Sequence, residues 1–180
     1  MKRAPTVALF AMLIFAGAAR AQNPPQAPKP GPELKKLDYF VGHWTTEAEL
    51  KPSRFGPAGK YTSKDNTEWM PGGFFLLTHS QWKSEAMGDG TELAVMGYNT
   101  DEKVYTYSAF NSMGEAETSK GTVEGDTWTW TATEKMGGKP MQGRFTVKVL
   151  SPTSYSMKFE IAPEGGNWAT IMEGKSIKEQ

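Results

Sequence analysis

The chain has 180 residues, with 20 basic and 20 acidic side chains, two histidines and no cysteine. Without cysteine there can be no disulfide, thiolate metal site, cysteine nucleophile or lipid-modified N-terminal cysteine, so an exported form must be held together by its core alone. The length suits one domain and is enough to bury a substantial core.

Lys2 and Arg3 precede an apolar run from Val7 to Ala19, and Ala19-Arg20-Ala21 offers small residues at a cleavage position. Residues 1–21 therefore read as a secretory signal peptide, with the product expected in the bacterial periplasm or outside the cell. A membrane anchor is the alternative. The apolar run falls short of the roughly 20 residues a bilayer span needs, so no stable membrane insertion is expected after cleavage. Removing Lys2, Arg3 and Arg20 leaves 17 of the 20 basic residues against 20 acidic ones. That mildly acidic balance argues against a nucleic-acid partner, which requires a basic face. Residues 22–32 (QNPPQAPKPGP) form a Pro-rich linker with almost no apolar side chains, and the domain is expected over residues 33–180.

Glu33 to Val41 carries Leu34, Leu37, Phe40 and Val41 at helical spacing before Gly42, which predicts one or two helical turns plugging a barrel end. From there a period of two dominates. Trp44, Thr46, Ala48 and Leu50 alternate with His43, Thr45, Glu47, Glu49 and Lys51. Tyr61 to Trp69 predicts a polar strand, and Met70-Pro71-Gly72-Gly73 a turn into Phe74 to Trp82. Gly88-Asp89-Gly90 predicts another turn. Glu92 to Tyr98 and Val104 to Phe110 flank Asn99 to Lys103, a polar hairpin. Further strands are predicted over 116–123, 127–133, 141–149, 155–161 and 168–177. The segment Gly125-Asp126 and the pairs Gly137-Gly138, Ser151-Pro152 and Gly165-Gly166 punctuate them. About ten strands on short Gly-rich turns point to an all-β antiparallel meander. Closure into an up-and-down barrel removes the open edges that a flat sheet would leave, with a two-sheet sandwich as the alternative.

LKKLDYFVGHW, PGGFFLL and GYNTDEKVYTY followed by FNSMG occur in that order over residues 34–114. They resemble the bacterial domain of unknown function 1579, a lipocalin-like family of the calycin group. The resemblance implies a calycin barrel with no assigned activity. It also implies the binding of small apolar molecules, on fold analogy alone.

Tyr61, Trp69, Trp128, Trp130, Phe145, Tyr155 and Phe159 fall on strand faces expected to point inward, and such rings offer large apolar area with a polar handle on Tyr and Trp. With His79 they are the expected lumen residues for an apolar or amphipathic ligand, in a monomer or weak homodimer. A filled core is the competing reading. Gly42 and Trp44 are expected to be structural. His43 sits on the outward phase. His79 lies between apolar neighbours that leave its direction open, and if inward its imidazole could hold a haem iron. Such a site would resemble the haem-binding nitrobindin branch, but that branch uses a histidine near the C-terminal end and Trp168 to Gln180 contains none. No metal cluster is expected, and Asp89-Gly90 with Glu92 has too few ligands for a calcium loop. Glu47 and Glu49 read as a solvated outer row. Asp65 is in phase with Tyr61 and Trp69, so an inward carboxylate with a raised pKa is an enzymatic alternative. A carbohydrate- or protein-binding platform would require Trp128 and Trp130 to face water.

Overall fold

The computed structural model describes residues 28–53, 56–136 and 139–179, without the side chains of 134–136. The expected signal segment, most of the linker and the Gly137-Gly138 turn lie outside the described residues. Pro32–Phe40 forms a 3-10 helix that starts after Gly31, with Pro32 at its first position and Glu33 in its first turn. Proline suits a helix start because its missing N–H would be unpaired there anyway. Leu34, Leu37 and Phe40, all buried, recur every three residues. The 3-10 helix has three residues per turn, so this spacing places all three on one face. Gly42 then takes φ +116, a backbone state that L side chains rarely adopt, and turns the chain into the first strand.

Ten strands follow: β1 (Gly42–Leu50), β2 (Gly59–Trp69), β3 (Leu76–Ser84), β4 (Gly88–Asn99), β5 (Val104–Asn111), β6 (Ala116–Glu124), β7 (Thr127–Met136), β8 (Lys139–Ser151), β9 (Ser154–Pro163) and β10 (Ala169–Lys178). Each pairs antiparallel with the next, and β10 pairs back onto β1, so the sheet is one closed barrel and not a sandwich. The closing seam runs from Trp44↔Lys178 to Leu50↔Met172. Most strand ends differ from the sequence reading by one to three residues, and two differences bear on the lumen. The third strand begins at Leu76 rather than Phe74, and Gly88 to Gly90 belongs to β4, the turn being formed by residues 85–87.

The helix closes one end of the barrel, and side chains from distant strands hold it there. Trp44 Nε1 donates to Phe40 O at 2.9 Å, Trp69 Nε1 to Asp38 Oδ1 at 2.8 Å, and Tyr105 OH to Glu33 O at 3.0 Å. Lys178 Nζ donates to Tyr39 O at 3.3 Å. Tyr39 OH reaches Ser151 O at 3.0 Å and Ser154 O at 2.9 Å, fastening the helix to the β8–β9 hairpin. Above the helix, Phe40 meets Trp128 edge-on at 5.2 Å, and Trp128 stacks on Trp130 at 5.5 Å. The core is therefore densest at the plugged end.

Candidate binding site in the barrel lumen

Above the plug, the inner wall divides by chemistry. On the side of β1 to β5 and β10 it is polar. Thr46 Oγ1 and Ser176 Oγ are 2.6 Å apart, Thr67 and Thr78 pair at 2.8 Å, and Ser63 Oγ donates to Asp65 Oδ2 at 3.0 Å. Tyr107 OH donates to Glu92 Oε1 at 2.9 Å. Asp65, Ser80 and Glu92 lie in one transverse row across β2, β3 and β4. On the side of β6 to β9 the wall is mainly apolar. Here Trp130, Ala132, Met141, Phe145, Phe159 and Ile161, with Glu117 and Ser119, surround a cavity of about 60 Å³.

A water molecule needs about 10–15 Å³ of such space, so this cavity holds a few waters or a small head group. It is well below the roughly 300–1,000 Å³ of a site that engulfs a drug-sized ligand. Tyr61, Tyr107, Phe145 and Phe159 all face inward yet remain only half-buried, whereas Trp128 and Trp130 are 3% and 6% exposed. Aromatic rings in a filled core would keep no accessible surface.

Burial is the first cause of each shift at the inner wall. Burial pushes the Asp65 carboxyl above the usual carboxylate range, against the opposing hydrogen bonds from Ser80, Ser63 and Thr46. Burial also raises Glu92, with Tyr107 pulling it down and the charge of Asp65 adding to the rise. The Tyr107 hydroxyl is driven far above its ordinary value by burial, then by Glu92. Tyr155 is pushed up to about 12, chiefly by burial. Tyr61 is also raised, by burial first and Asp65 second. Asp65 and Glu92 thus lie in the lumen with Tyr61 and Tyr107 beside them, and burial disfavours the charged form of all four, as it does for Tyr155 nearer the plug.

The residues singled out from the sequence fall into four places. Tyr61, Phe145 and Phe159 face the open half of the lumen. Trp69, Trp128 and Tyr155 pack at the plugged end, where Tyr155 lies 4.9 Å from Trp44. Trp130 sits between, touching the plug on one side and the cavity on the other. His79 is on the outer wall and exposed, because it alternates with Thr78 and Ser80 on the inner face. The imidazole is therefore outside the lumen, where the haem reading required it inside. His43 is likewise exposed, in the outer row His43, Asn66, His79, Leu93 and Phe110. The indoles of Trp128 and Trp130 are buried, so they form no solvent-facing platform. Among the described residues, no group of three His, Asp or Glu side chains is placed to hold a metal ion.

Glu92, Tyr107, Trp82 and Ser119 were not among the lumen residues expected from the sequence. Their signal was present in phase: Glu92 alternates with Ala94 and Met96, and Tyr107 with Tyr105 and Ala109. Treating residues 88–92 as turn and strand start concealed Glu92.

The model of the family described as "Protein of unknown function (DUF1579)" matches residues 29–178. No curated protein matches. Solved structures share the fold, two of them as follows. Rv2717c from M. tuberculosis superposes with a TM-score of 0.59 at 13% identity, covering 84% of this chain and 100% of its own. The S-type phycobiliprotein lyase CPES from Guillardia theta gives 0.55 at 10% identity, covering 81% of this chain and 92% of its own. At such identities the likeness is one of architecture.

Proposed function

The chain belongs to the DUF1579 family, whose description assigns no activity, and from that premise we propose that it is an exported barrel binding a small apolar or amphipathic molecule in its lumen. The observation that carries this reading is the division of the inner wall. Phe145, Phe159, Met141 and Ile161 line a cavity on one side, while hydroxyls and carboxyls occupy the other. Such an interior suits a guest with an apolar body and one polar end, since apolar contact supplies affinity and a few fixed polar groups set orientation. Fold likeness to a lyase that acts on phycobiliproteins is compatible with a small-molecule partner. Export rests on the basic start, apolar run and small-residue site within residues 1–21.

Native mass spectrometry of the protein freshly isolated from a bacterial periplasm tests both parts. The expected result is a chain lacking residues 1–21 that carries a retained small molecule. A bare chain whose tryptophan emission ignores apolar and amphipathic additives would overturn the binding reading. An uncleaved N-terminus would overturn the export reading.

A further inference from the structure

Among the described residues, three buried side-chain polar atoms have no hydrogen-bond partner: Trp82 Nε1, Ser119 Oγ and Trp130 Nε1. Their residues are only 7%, 7% and 6% exposed, and Ser119 and Trp130 line the lumen cavity. Such groups are scarce in folded proteins and each calls for an explanation. An indole N–H can only donate, and a serine hydroxyl can donate or accept. What these positions lack in common is an acceptor.

The charges around them narrow the choice. Asp65 and Glu92 face the lumen, and Glu117 lines the cavity. Lys178, on the inner face, stands at the plugged end, where it sits 5.1 Å above the Trp44 ring and donates to Tyr39 O, while Lys139, in phase with Met141, is exposed at the open rim. Arg144 points the other way, paired with Glu160 at 2.9 Å and stacked on Trp168. A carboxylate or phosphate entering the open half would meet the carboxyls of Asp65 and Glu92, and like charges brought together at low dielectric repel strongly. An ammonium could pair with these carboxyls but, having donors only, would leave the Ser119 hydroxyl and the Trp130 indole without an acceptor.

We propose that the lumen, if it binds as read above, takes its ligand through an uncharged acceptor-bearing head group, of the ester, ketone or amide kind, seated at Ser119 and Trp130. The apolar remainder lies along Phe145 and Phe159 toward the open end. The hydroxyl and indole donate to the ligand oxygen, and the carboxyls exclude anionic analogues.

The test uses three probes with the same dodecyl tail: a methyl ester, a carboxylate and an ammonium, titrated at about pH 8 with tryptophan emission as readout. The ester is expected to bind at least about tenfold more tightly than either charged probe. Ser119→Ala is expected to weaken ester binding about fivefold. It should also raise the melting temperature of the ligand-free protein by about 2 °C, because it removes a buried hydroxyl that bonds to nothing. Trp130→Phe, a variant that keeps the ring, should weaken the ester in the same sense. Carboxylate or ammonium binding as tight as the ester, or ester affinity unchanged in both variants, would overturn the head-group assignment while leaving lumen binding intact. Silence from all three probes would remove lumen binding itself, and this inference with it.

Discussion

Trp44 shows how one side chain can serve a whole end of the barrel. It is 2% exposed, donates to Phe40 O, and packs against Tyr39 and Tyr155 while Lys178 lies over its ring. Trp44→Ala removes the ring and the hydrogen bond together. It should cost about 3–5 kcal/mol of stability, the usual range for truncating a buried aromatic, read from a urea unfolding curve. The structural role of Trp44 was legible in the sequence, because Gly42-His43-Trp44 joins a short apolar helix to a clean alternation. His79 was not. Its neighbours Leu76, Leu77 and Trp82 put apolar side chains on both faces of the strand, so alternation had no contrast to work with. Register decided it: Asn66↔His79↔Leu93 is an outer row, whereas Asp65↔Ser80↔Glu92 is an inner one.

At the scale of elements, several glycines mark where a strand gives up its side chain to a neighbour. The Trp130 indole lies over Gly121 so closely that a Cβ there would come within 2.6 Å of Nε1, and Trp82 lies over Gly90 in the same way. Gly174 is the strictest case, since a Cβ on it would run into Glu47 O and the Ala48 backbone across the β1–β10 seam. Backbone cannot rotate aside as a side chain can. Gly174→Ala should therefore force the closing strands apart and cost about 1–3 kcal/mol, seen as a lower denaturation midpoint with an unchanged slope. The strand count and most turns could be read from the period of two and the Gly-rich breaks. The start of β4 could not, because Gly88-Asp89-Gly90 has turn composition. Those residues nevertheless pair with Trp82, Lys83 and Ser84 once β3 lies alongside.

At the scale of the whole molecule, closure creates an interior that buries the carboxyls of Asp65 and Glu92, and this should show in the dependence of stability on pH. Burial lifts the Asp65 carboxyl above its ordinary value, so between that value and the raised one the folded protein holds more protons than the unfolded chain. Stability must then fall as pH rises through that window. Glu92 acts in the same direction. Glu160 acts in the opposite one. Burial pushes it up, but hydrogen bonds from Lys158 and Arg144 and their charges hold it below the usual range, so its contribution is lost as pH falls through its lowered pKa. The difference between variant and parent isolates the lumen. Asp65→Asn should melt higher than the parent at about pH 7 and match it at about pH 3, because Ser63, Ser80 and Thr46 can serve an amide as well as an acid. A variant that melts lower at neutral pH would show that the carboxylate is stabilised where it stands. Composition and periodicity by themselves determined that this chain makes an all-β meander with a plugged end, because strand faces and turn residues are local properties. Only the tertiary structure decided which carboxyls share the lumen, which indoles pack on the plug and which donors lack acceptors. Those facts depend on strands far apart in sequence meeting in one register, which the pattern along any single strand does not contain.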